Sequence, residues 1–213
     1  MTERSPSNPH ASVDTSTEVT AAVLVIGDEI LSGRTKEANA GYIADVLTAA
    51  GIRLKEIRVV ADVEADIVEA LNTLRSRFSY VFTTGGIGPT HDDITAQSVA
   101  TAFGREIDVD QRALDLMMPH YRSRGVELTP SRLRMARIPQ GAELIPNRIT
   151  AAPGFQIENV FIMAGVPAIM QVMLDEVLPK LRTGRKLLSQ TIKVAAPEGE
   201  VADLLTEHQN SFP

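Results

Sequence analysis

The chain has 213 residues, of which 44% are hydrophobic and only 4% aromatic, and its formal net charge is −6. This length and hydrophobic content suffice for one large domain with its own core, whereas the acidic balance and the scarcity of aromatic rings argue against a nucleic-acid-binding surface. The absence of cysteine excludes thiol catalysis, cysteine zinc sites and disulfides. No apolar run approaches the about 18 residues of a membrane span, and the N-terminus lacks the apolar core of a signal peptide, so we expect a cytoplasmic protein that binds no membrane.

Residues 1–20 are rich in Ser, Thr and Pro and show no hydrophobic periodicity, which predicts a disordered leader. Residues 21–26 are entirely apolar, as is typical of a strand buried on both faces of a sheet. This strand stops at a Gly-Asp-Glu sequence, residues 27–29. Apolar residues at helical spacing then predict a helix over residues 35–50, ended by Gly51.

Two more strands are predicted over residues 52–61 and 81–84, with a helix between them. Alternating strands and helices are typical of an α/β sandwich with a mostly parallel sheet, in which ligands bind at the carboxyl ends of the strands. Each strand is followed by Gly or Asp. We therefore expect Glu29, Asp62 and Asp93 to lie along one rim if the three strands are neighbours.

The segment after the third strand carries glycine at three of four consecutive positions, namely Gly85, Gly86 and Gly88. Such a turn permits positive φ, and its backbone N–H groups attract phosphate oxygens together with those of the following helix. Asp92 and Asp93 follow, and two carboxylates beside a phosphate require a cation between them. We therefore predict a hydrated divalent metal such as Mg²⁺ on this pair. The simpler alternative is an ordinary strand-to-helix turn with a capping Asp.

The second half of the chain predicts further helices and a hairpin. Residues 110–124 have a helical pattern that Pro119 should kink or break. Residues 155–157 and 160–163 predict the two strands of a hairpin, and residues 168–181 predict an amphipathic helix.

Three arginines and two turns in this half are further candidates for ligand contact. Arg132, Arg134 and Arg137 could reach a substrate phosphate or a partner subunit, although we favour a solvated basic face. The turns at Pro153 and Gly165 could form walls of a ligand site, although as isolated turns they would carry no functional meaning.

The C-terminal segment predicts one strand, over residues 187–195, and one helix, over residues 199–209. A lone strand and helix cannot bury both of their faces. We therefore interpret residues 185–213 as the start of a small, incomplete α/β module appended to a main domain of residues 21–184. The alternative is an extra strand at the edge of the main sheet.

Four motifs, taken in order, resemble those of the molybdopterin-binding domain family: residues 27–33, 83–95, 152–155 and 165–167. The similarity is greatest to the competence/damage-inducible, CinA-like branch and to the N-terminal domain of eukaryotic FAD synthases. The resemblance covers about residues 21–181. It implies a three-layer α/β/α sandwich with a mixed, mostly parallel sheet, assembled as a homo-oligomer that is either a dimer or a trimer.

Members that make molybdenum cofactor bind molybdopterin at the glycine loop and use acidic residues matching Asp62 and Asp93 in adenylyl transfer. Ile87 stands where those members usually have threonine, and the CinA-like branch commonly has an aliphatic residue there. That branch is associated with metal-dependent hydrolysis of the pyrophosphate in ADP-ribose, and the FAD synthase relative with hydrolysis of FAD. Thr150 and Ala164 depart from the glycine and proline that are usual in the branch.

The leading hypothesis is therefore a hydrolase of a nucleotide pyrophosphate that depends on Mg²⁺ or Co²⁺. The alternatives are a molybdopterin-binding or adenylylating protein and a non-catalytic regulatory domain that binds a dinucleotide. We assign catalytic roles to Asp93, Asp92, Asp62 and Glu29, with the metal on Asp92 and Asp93. The residues expected to bind the nucleotide or pterin ligand are Gly27, Asp28, Gly33, Asn39, Thr84, Gly85, Gly86, Ile87, Gly88, Pro89, Thr90, Pro153, Gly154, Gly165 and Pro167.

Overall fold

The structure is a computed structural model that describes residues 18–185, 190–191 and 193–211. Its strands are Thr20–Ile26 (β1), Arg53–Val60 (β2), Tyr80–Thr84 (β3), Ile107–Val109 (β4), Arg137–Pro139 (β5), Glu143–Ile145 (β6), Gly154–Ile157 (β7) and Val160–Met163 (β8). Its α-helices are Asp28–Leu31 (α1), Asn39–Ala49 (α2), Glu64–Arg77 (α3), Thr95–Phe103 (α4), Gln111–Ser123 (α5), Pro130–Leu133 (α6), Pro167–Val177 (α7) and Glu198–Ser211 (α8). Among the described residues, no helix is long and apolar enough to cross a bilayer.

The main sheet has six strands in the order β2-β1-β3-β8-β7-β6. Strands β2, β1, β3 and β8 are parallel, and β7 runs antiparallel to both β8 and β6. The predicted mixed, mostly parallel sheet and the predicted β7–β8 hairpin are therefore confirmed. The small antiparallel pair β4–β5 is an addition that the sequence pattern did not predict.

Side chains of β1 alternate between two hydrophobic cores, which shows why this strand is apolar throughout. Ala22, Leu24 and Ile26 belong to the core that also contains residues of α3, α4 and α5. The intervening residues of β1 belong to the core that contains residues of α2 and α7. Helices thus cover both faces of the sheet, and the predicted three-layer α/β/α sandwich is confirmed.

Several element boundaries differ from the predicted ones. Strand β1 begins at Thr20, and Val19 before it is buried, so these two residues of the predicted leader belong to the folded domain; residues 1–17 lie outside the described residues. Helix α5 continues through Pro119 without a break. Pro119 removes only its own hydrogen bond, the one to the carbonyl four residues before it, and it lies in the second half of the helix, so the first turn keeps its bond from the Leu114 N–H to the Asp110 carbonyl.

In the described part of the C-terminal segment the one regular element is the helix α8, which has no buried residue. Gln190, Thr191 and residues 193–195 are not in a strand, and the other residues of the predicted strand over 187–195 lie outside the described residues. The small C-terminal module therefore stays a prediction.

Candidate functional site

The carboxyl ends of four neighbouring strands form one edge of the molecule. Val25 of β1 pairs with Thr84 of β3, and Thr84 in turn pairs with Met163 of β8. On the other side Ile26 pairs with Val60, the last residue of β2. The segments that follow these strands therefore emerge side by side, as expected if the predicted strands are neighbours.

The glycine turn after β3 is held tightly against β1 and α4. Gly85 has a φ of +105°, and a Cβ there would lie 2.1 Å from the carbonyl oxygen of Ile26. Gly86 has a φ of +66°, and a Cβ there would lie 2.1 Å from Oγ1 of Thr95. The Thr95 hydroxyl donates to the Gly85 carbonyl at 3.0 Å, and the Thr95 N–H donates to the Gly86 carbonyl at the same distance. Thr95, the first residue of α4, thus fixes the turn, a role that we did not predict.

The turn presents a run of unpaired backbone donors. The Gly85 N–H donates to the Met163 carbonyl at 3.2 Å and so belongs to the sheet, which removes it from the predicted set of phosphate-binding donors. For the N–H groups of Gly86, Ile87 and Gly88, by contrast, the described residues offer no hydrogen-bond acceptor. Consecutive free N–H groups in a glycine turn form a concavity that attracts anions.

Asp93 and Asp92 are adjacent in sequence but have different surroundings. The Asp93 carboxylate accepts hydrogen bonds from the Thr90 N–H at 2.8 Å and from the Thr90 hydroxyl, and it lies so close to Gly88 that a Cβ there would be 2.6 Å from Asp93 Oδ2. The side chain of Asp92 is 65% exposed. The nearby Thr90 hydroxyl holds the pKa of Asp92 below its ordinary value. Thr90 therefore orients the Asp93 carboxylate, and its expected contact with the ligand stays a prediction.

A cluster of carboxylates lies at the ends of β1 and β2. The Asp28 N–H donates to Asp62 Oδ2 at 2.9 Å, and the Asp62 N–H donates to Asp28 Oδ1 at 3.4 Å. Burial raises the pKa of Asp62, and the negative charges of Asp28, Glu29 and Asp92 raise it further. This local repulsion between carboxylates is the condition that a bound cation relieves.

A cleft of about 610 Å³ runs over the strand ends. Ten of the predicted site residues line it, and these are Glu29, Gly85, Gly86, Ile87, Gly88, Pro89, Asp93, Pro153, Gly165 and Pro167. Much of the remaining wall was not predicted and consists of Thr35, Tyr121, Met135, Asn147, Thr150, Ala152, Ala164, Val166, Ile169 and Met173. The cleft therefore combines a polar glycine turn and two carboxylates with an extensive apolar wall, as ligand sites commonly do.

Asn39 and Thr84 lie beside the cleft, in a smaller cavity of about 60 Å³ that shares Glu29, Gly85 and Gly165 with it. The Asn39 side-chain amide donates to the Gly165 carbonyl at 2.8 Å and so ties α2 to the segment after β8. Asn39 Oδ1 and Thr84 Oγ1 are buried, and neither has a hydrogen-bond partner among the described residues. These two predicted residues thus support the floor of the site.

The other predicted residues lie outside the lining of the cleft in the described part of the chain. Asp28, Asp62 and Asp92 form its acidic surroundings, and the Gly27 N–H donates to the Val60 carbonyl at 3.1 Å. A Cβ at Gly154 would lie 2.3 Å from the Ile162 carbonyl oxygen, so this glycine serves the close pairing of β7 with β8. Gly33 has no atom within 4 Å of where its Cβ would be and a φ of +73°, which is typical of a turn residue.

The donor set fits a cation that is shared with a ligand. Within the described residues, no group of three or more His, Cys, Asp or Glu side chains is arranged to hold a metal by itself. Mg²⁺ sites in enzymes commonly use only one or two carboxylates, together with waters and the phosphates of the substrate. Glu29 and Asp93 both line the cleft and could supply such carboxylates, whereas Asp92, which we predicted to share the metal with Asp93, is not among the lining residues.

Comparison with known proteins identifies the family. A family model described as "Probable molybdopterin binding domain" matches residues 22–183. A protein of Caldivirga maquilingensis is 41% identical over 179 residues, which cover 82% of this chain and 70% of that protein. A CinA-like protein of Citrifermentans bemidjiense is 44% identical over 169 residues, which cover 77% of this chain but only 41% of that longer protein.

Among solved structures, the protein CinA from Thermoplasma acidophilum, described as of unknown function, is 33% identical with a TM-score of 0.70. The match covers 76% of this chain and 98% of that one. Sequence and structure thus agree over the same α/β domain. The chain therefore belongs to the molybdopterin-binding domain family and, within it, to the CinA-like branch.

Proposed function

We propose that this chain is a hydrolase that splits the pyrophosphate of a dinucleotide such as ADP-ribose or FAD, with a divalent cation, Mg²⁺ or Co²⁺, bound in the cleft. The observation that carries the proposal is the run of three consecutive backbone N–H groups at Gly86, Ile87 and Gly88 without an acceptor among the described residues. These residues line a cleft of about 610 Å³, which is in the size range of small-molecule sites.

In the proposed complex, the three N–H groups bind oxygens of the diphosphate. Glu29 and Asp93, which line the same cleft, hold the cation together with the phosphates. When bound, the cation neutralises charge on the bridging and leaving oxygens and lowers the pKa of water. The products of ADP-ribose are then AMP and ribose 5-phosphate, and those of FAD are AMP and FMN, one water molecule being consumed.

The chain's own residues have two further tasks in this proposal. Thr90 keeps the Asp93 carboxylate oriented through two hydrogen bonds, so that the carboxylate does not have to be ordered during the reaction. The apolar wall, which includes Tyr121 and Met135, receives the organic part of the dinucleotide and excludes water from it.

Binding of molybdopterin, with or without its adenylylation, is the second candidate because the matched family is described as molybdopterin-binding. Ile87 weighs against it, because this side chain lines the cleft and packs against both cores, and it has no hydroxyl to donate to a pterin. A non-catalytic domain that binds a dinucleotide is the third candidate.

We also propose that the protein acts in the cytoplasm as a homo-oligomer, either a dimer or a trimer. Light scattering would measure its oligomeric state.

Turnover assays distinguish these candidates. Purified protein is incubated with ADP-ribose or FAD in MgCl₂ or CoCl₂, and AMP is quantified by chromatography. We expect AMP release that EDTA abolishes and that Asp93→Asn reduces by about 100-fold or more, since both the cation and the loop depend on this carboxylate. The matched control is Asp45→Asn, an exposed carboxylate on α2, which should retain the parental rate.

The outcome decides between the three functions. No AMP release, together with tight binding of a pterin, would replace the proposed activity with molybdopterin binding. Saturable binding of ADP-ribose without turnover would favour the regulatory domain. Full activity of Asp93→Asn would refute the assignment of that carboxylate.

A further inference from the structure

The three arginines that follow α5 differ in their contacts, although the sequence presents them as one basic group. Arg132 donates to the Glu127 carbonyl and lies over the ring of Tyr121, with the guanidinium carbon 5.5 Å from the ring centroid. Arg137 donates to the side-chain oxygen of Gln97 at 3.0 Å. These two guanidinium groups therefore have structural partners within the chain.

Arg134 stands apart because part of its guanidinium is buried and unpaired. Its Nε is buried and has no hydrogen-bond partner among the described residues. Its Nη2 donates at 3.3 Å to the backbone carbonyl of Asp93. No salt bridge of Arg134 is found in the described part of the chain. A buried donor without an acceptor is unfavourable, so such a group indicates that an acceptor from outside the chain binds there.

The position of Arg134 identifies the kind of acceptor. Arg134 lines a cavity of about 20 Å³ together with Gly86, Gly88 and Asp93. These three residues also line the main cleft, so the small cavity opens beside it. The glycine turn, with its free N–H groups, and Arg134, with its buried and unpaired Nε–H, thus border the same space. Backbone donors and a guanidinium that border one small cavity suit an anion with several oxygens, as in a phosphate group.

We propose that Arg134 binds a non-bridging oxygen of a phosphate group held on the N–H groups of residues 86–88. This inference rests on the proposed function, which places a diphosphate there, and it adds a positively charged side chain to the carboxylates of the site. The Nη2 bond to the Asp93 carbonyl keeps the guanidinium in place before the ligand arrives. Arg134 would also distinguish a phosphorylated ligand from an uncharged one, such as a nucleoside.

Calorimetric titrations of the parent protein and two variants test the proposal, with inorganic pyrophosphate and ADP-ribose as probes in buffer containing MgCl₂, the ADP-ribose being supplied as its methylene analogue, which cannot be hydrolysed. Arg134→Gln should weaken binding of both probes by about 10- to 100-fold, as expected for the loss of a charge-assisted hydrogen bond. Arg137→Gln is the matched control, because Arg137 lines the same small cavity but already has Gln97 as its partner. It should weaken binding by less than about 3-fold.

Circular dichroism would show whether Arg134→Gln is folded. A second variant keeps the proposal testable if it is not. Arg134→Lys keeps the positive charge but has no Nε–H donor, and we expect a loss of affinity between those of the parent and Arg134→Gln. Parental affinity in either Arg134 variant, or an equal loss in Arg137→Gln, would overturn the proposal.

The two probes separate this inference from the proposed function. Arg134-dependent binding of pyrophosphate without any binding of ADP-ribose would support the inference and refute the dinucleotide substrate. Binding of ADP-ribose that does not depend on Arg134 would support the substrate and refute the inference. If the parent protein binds neither probe, both are refuted.

Discussion

Replacement of Gly85 by alanine tests the claim that the glycine turn is packed against β1. Two effects should destabilise the variant. The first is the φ of +105°, which an L-residue rarely adopts. The second is contact, because the new Cβ would lie 2.1 Å from the carbonyl oxygen of Ile26. That oxygen belongs to the backbone of a strand and cannot rotate away as the end of a side chain would.

The magnitude follows from adding these two effects. Positive φ costs an alanine about 1–2 kcal/mol, part of which is regained because alanine restricts the unfolded chain. A carbon–oxygen contact is normally about 3.3 Å or longer, so the turn and the end of β1 must separate by roughly 1 Å. Such overpacking typically costs about 1–3 kcal/mol. We therefore expect Gly85→Ala to lower the free energy of unfolding by about 2–4 kcal/mol, which is a large part of the stability of an ordinary domain.

Gly104→Ala is the matched control, because Gly104 also has a positive φ, +59°, but no atom lies within 4 Å of where its Cβ would be. This substitution isolates the effect of positive φ and should lower the free energy of unfolding by about 1 kcal/mol. The assay is equilibrium unfolding in urea, monitored by circular dichroism, with the m-value checked for two-state behaviour. Equal losses of stability in the two variants would refute the close contact between the glycine turn and β1.

Three more substitutions test the surroundings of the cleft. Asp62→Asn should raise the melting temperature above that of the parent at about pH 7 but not at about pH 3. The pKa of Asp62 is raised in the folded protein, so its contribution to stability is lost as pH rises above about 4, whereas asparagine carries no charge to bury. If the variant and the parent have equal melting temperatures at both pH values, the burial of this carboxyl is contradicted. Asn39→Ala should lower the free energy of unfolding by about 1–3 kcal/mol, because the Gly165 carbonyl loses its donor, and hydrogen exchange near residue 165 should accelerate. Thr90→Val should raise the pKa of Asp92 towards its ordinary value in a carbon-detected NMR titration, whereas an unchanged pKa would show that the hydroxyl does not act on this carboxyl.

The predictable part of the fold came from strands buried on both faces. The uninterrupted apolar run of β1 could be recognised because such strands have no polar face, and its order next to β2 and β3 follows from the short crossover helices. Glu29 and the glycine turn could be placed at one edge of the sheet because the carboxyl ends of neighbouring parallel strands lie on the same side. The predicted alternative of a break at Pro119 was wrong, because a proline in the second half of a helix removes few of its hydrogen bonds.

The cleft residues that come from α5 and from the segment after α6 could not be predicted from the sequence. Tyr121 lies in α5 and Met135 after α6, and their spacing is that of ordinary helix residues. Only the packing of these helices over the strand ends brings them to the ligand side. Asn147 was equally inconspicuous, because its burial is visible only in the structure. The distinction between Arg134 and its neighbours depends on individual hydrogen bonds, which no sequence pattern specifies.

The proposed function requires that a nucleotide diphosphate binds on the turn after β3, over the carboxyl ends of the parallel strands. A crystal structure of the protein soaked with MgCl₂ and the methylene analogue of ADP-ribose, whose bridging oxygen is replaced by CH₂ so that it cannot be hydrolysed, tests this most directly. We predict density for the two linked phosphoryl groups within hydrogen-bond distance of the N–H groups of Gly86, Ile87 and Gly88, with the cation next to Glu29 or Asp93. Density for the analogue elsewhere on the protein, or an empty cleft at saturating ligand, would contradict this binding site.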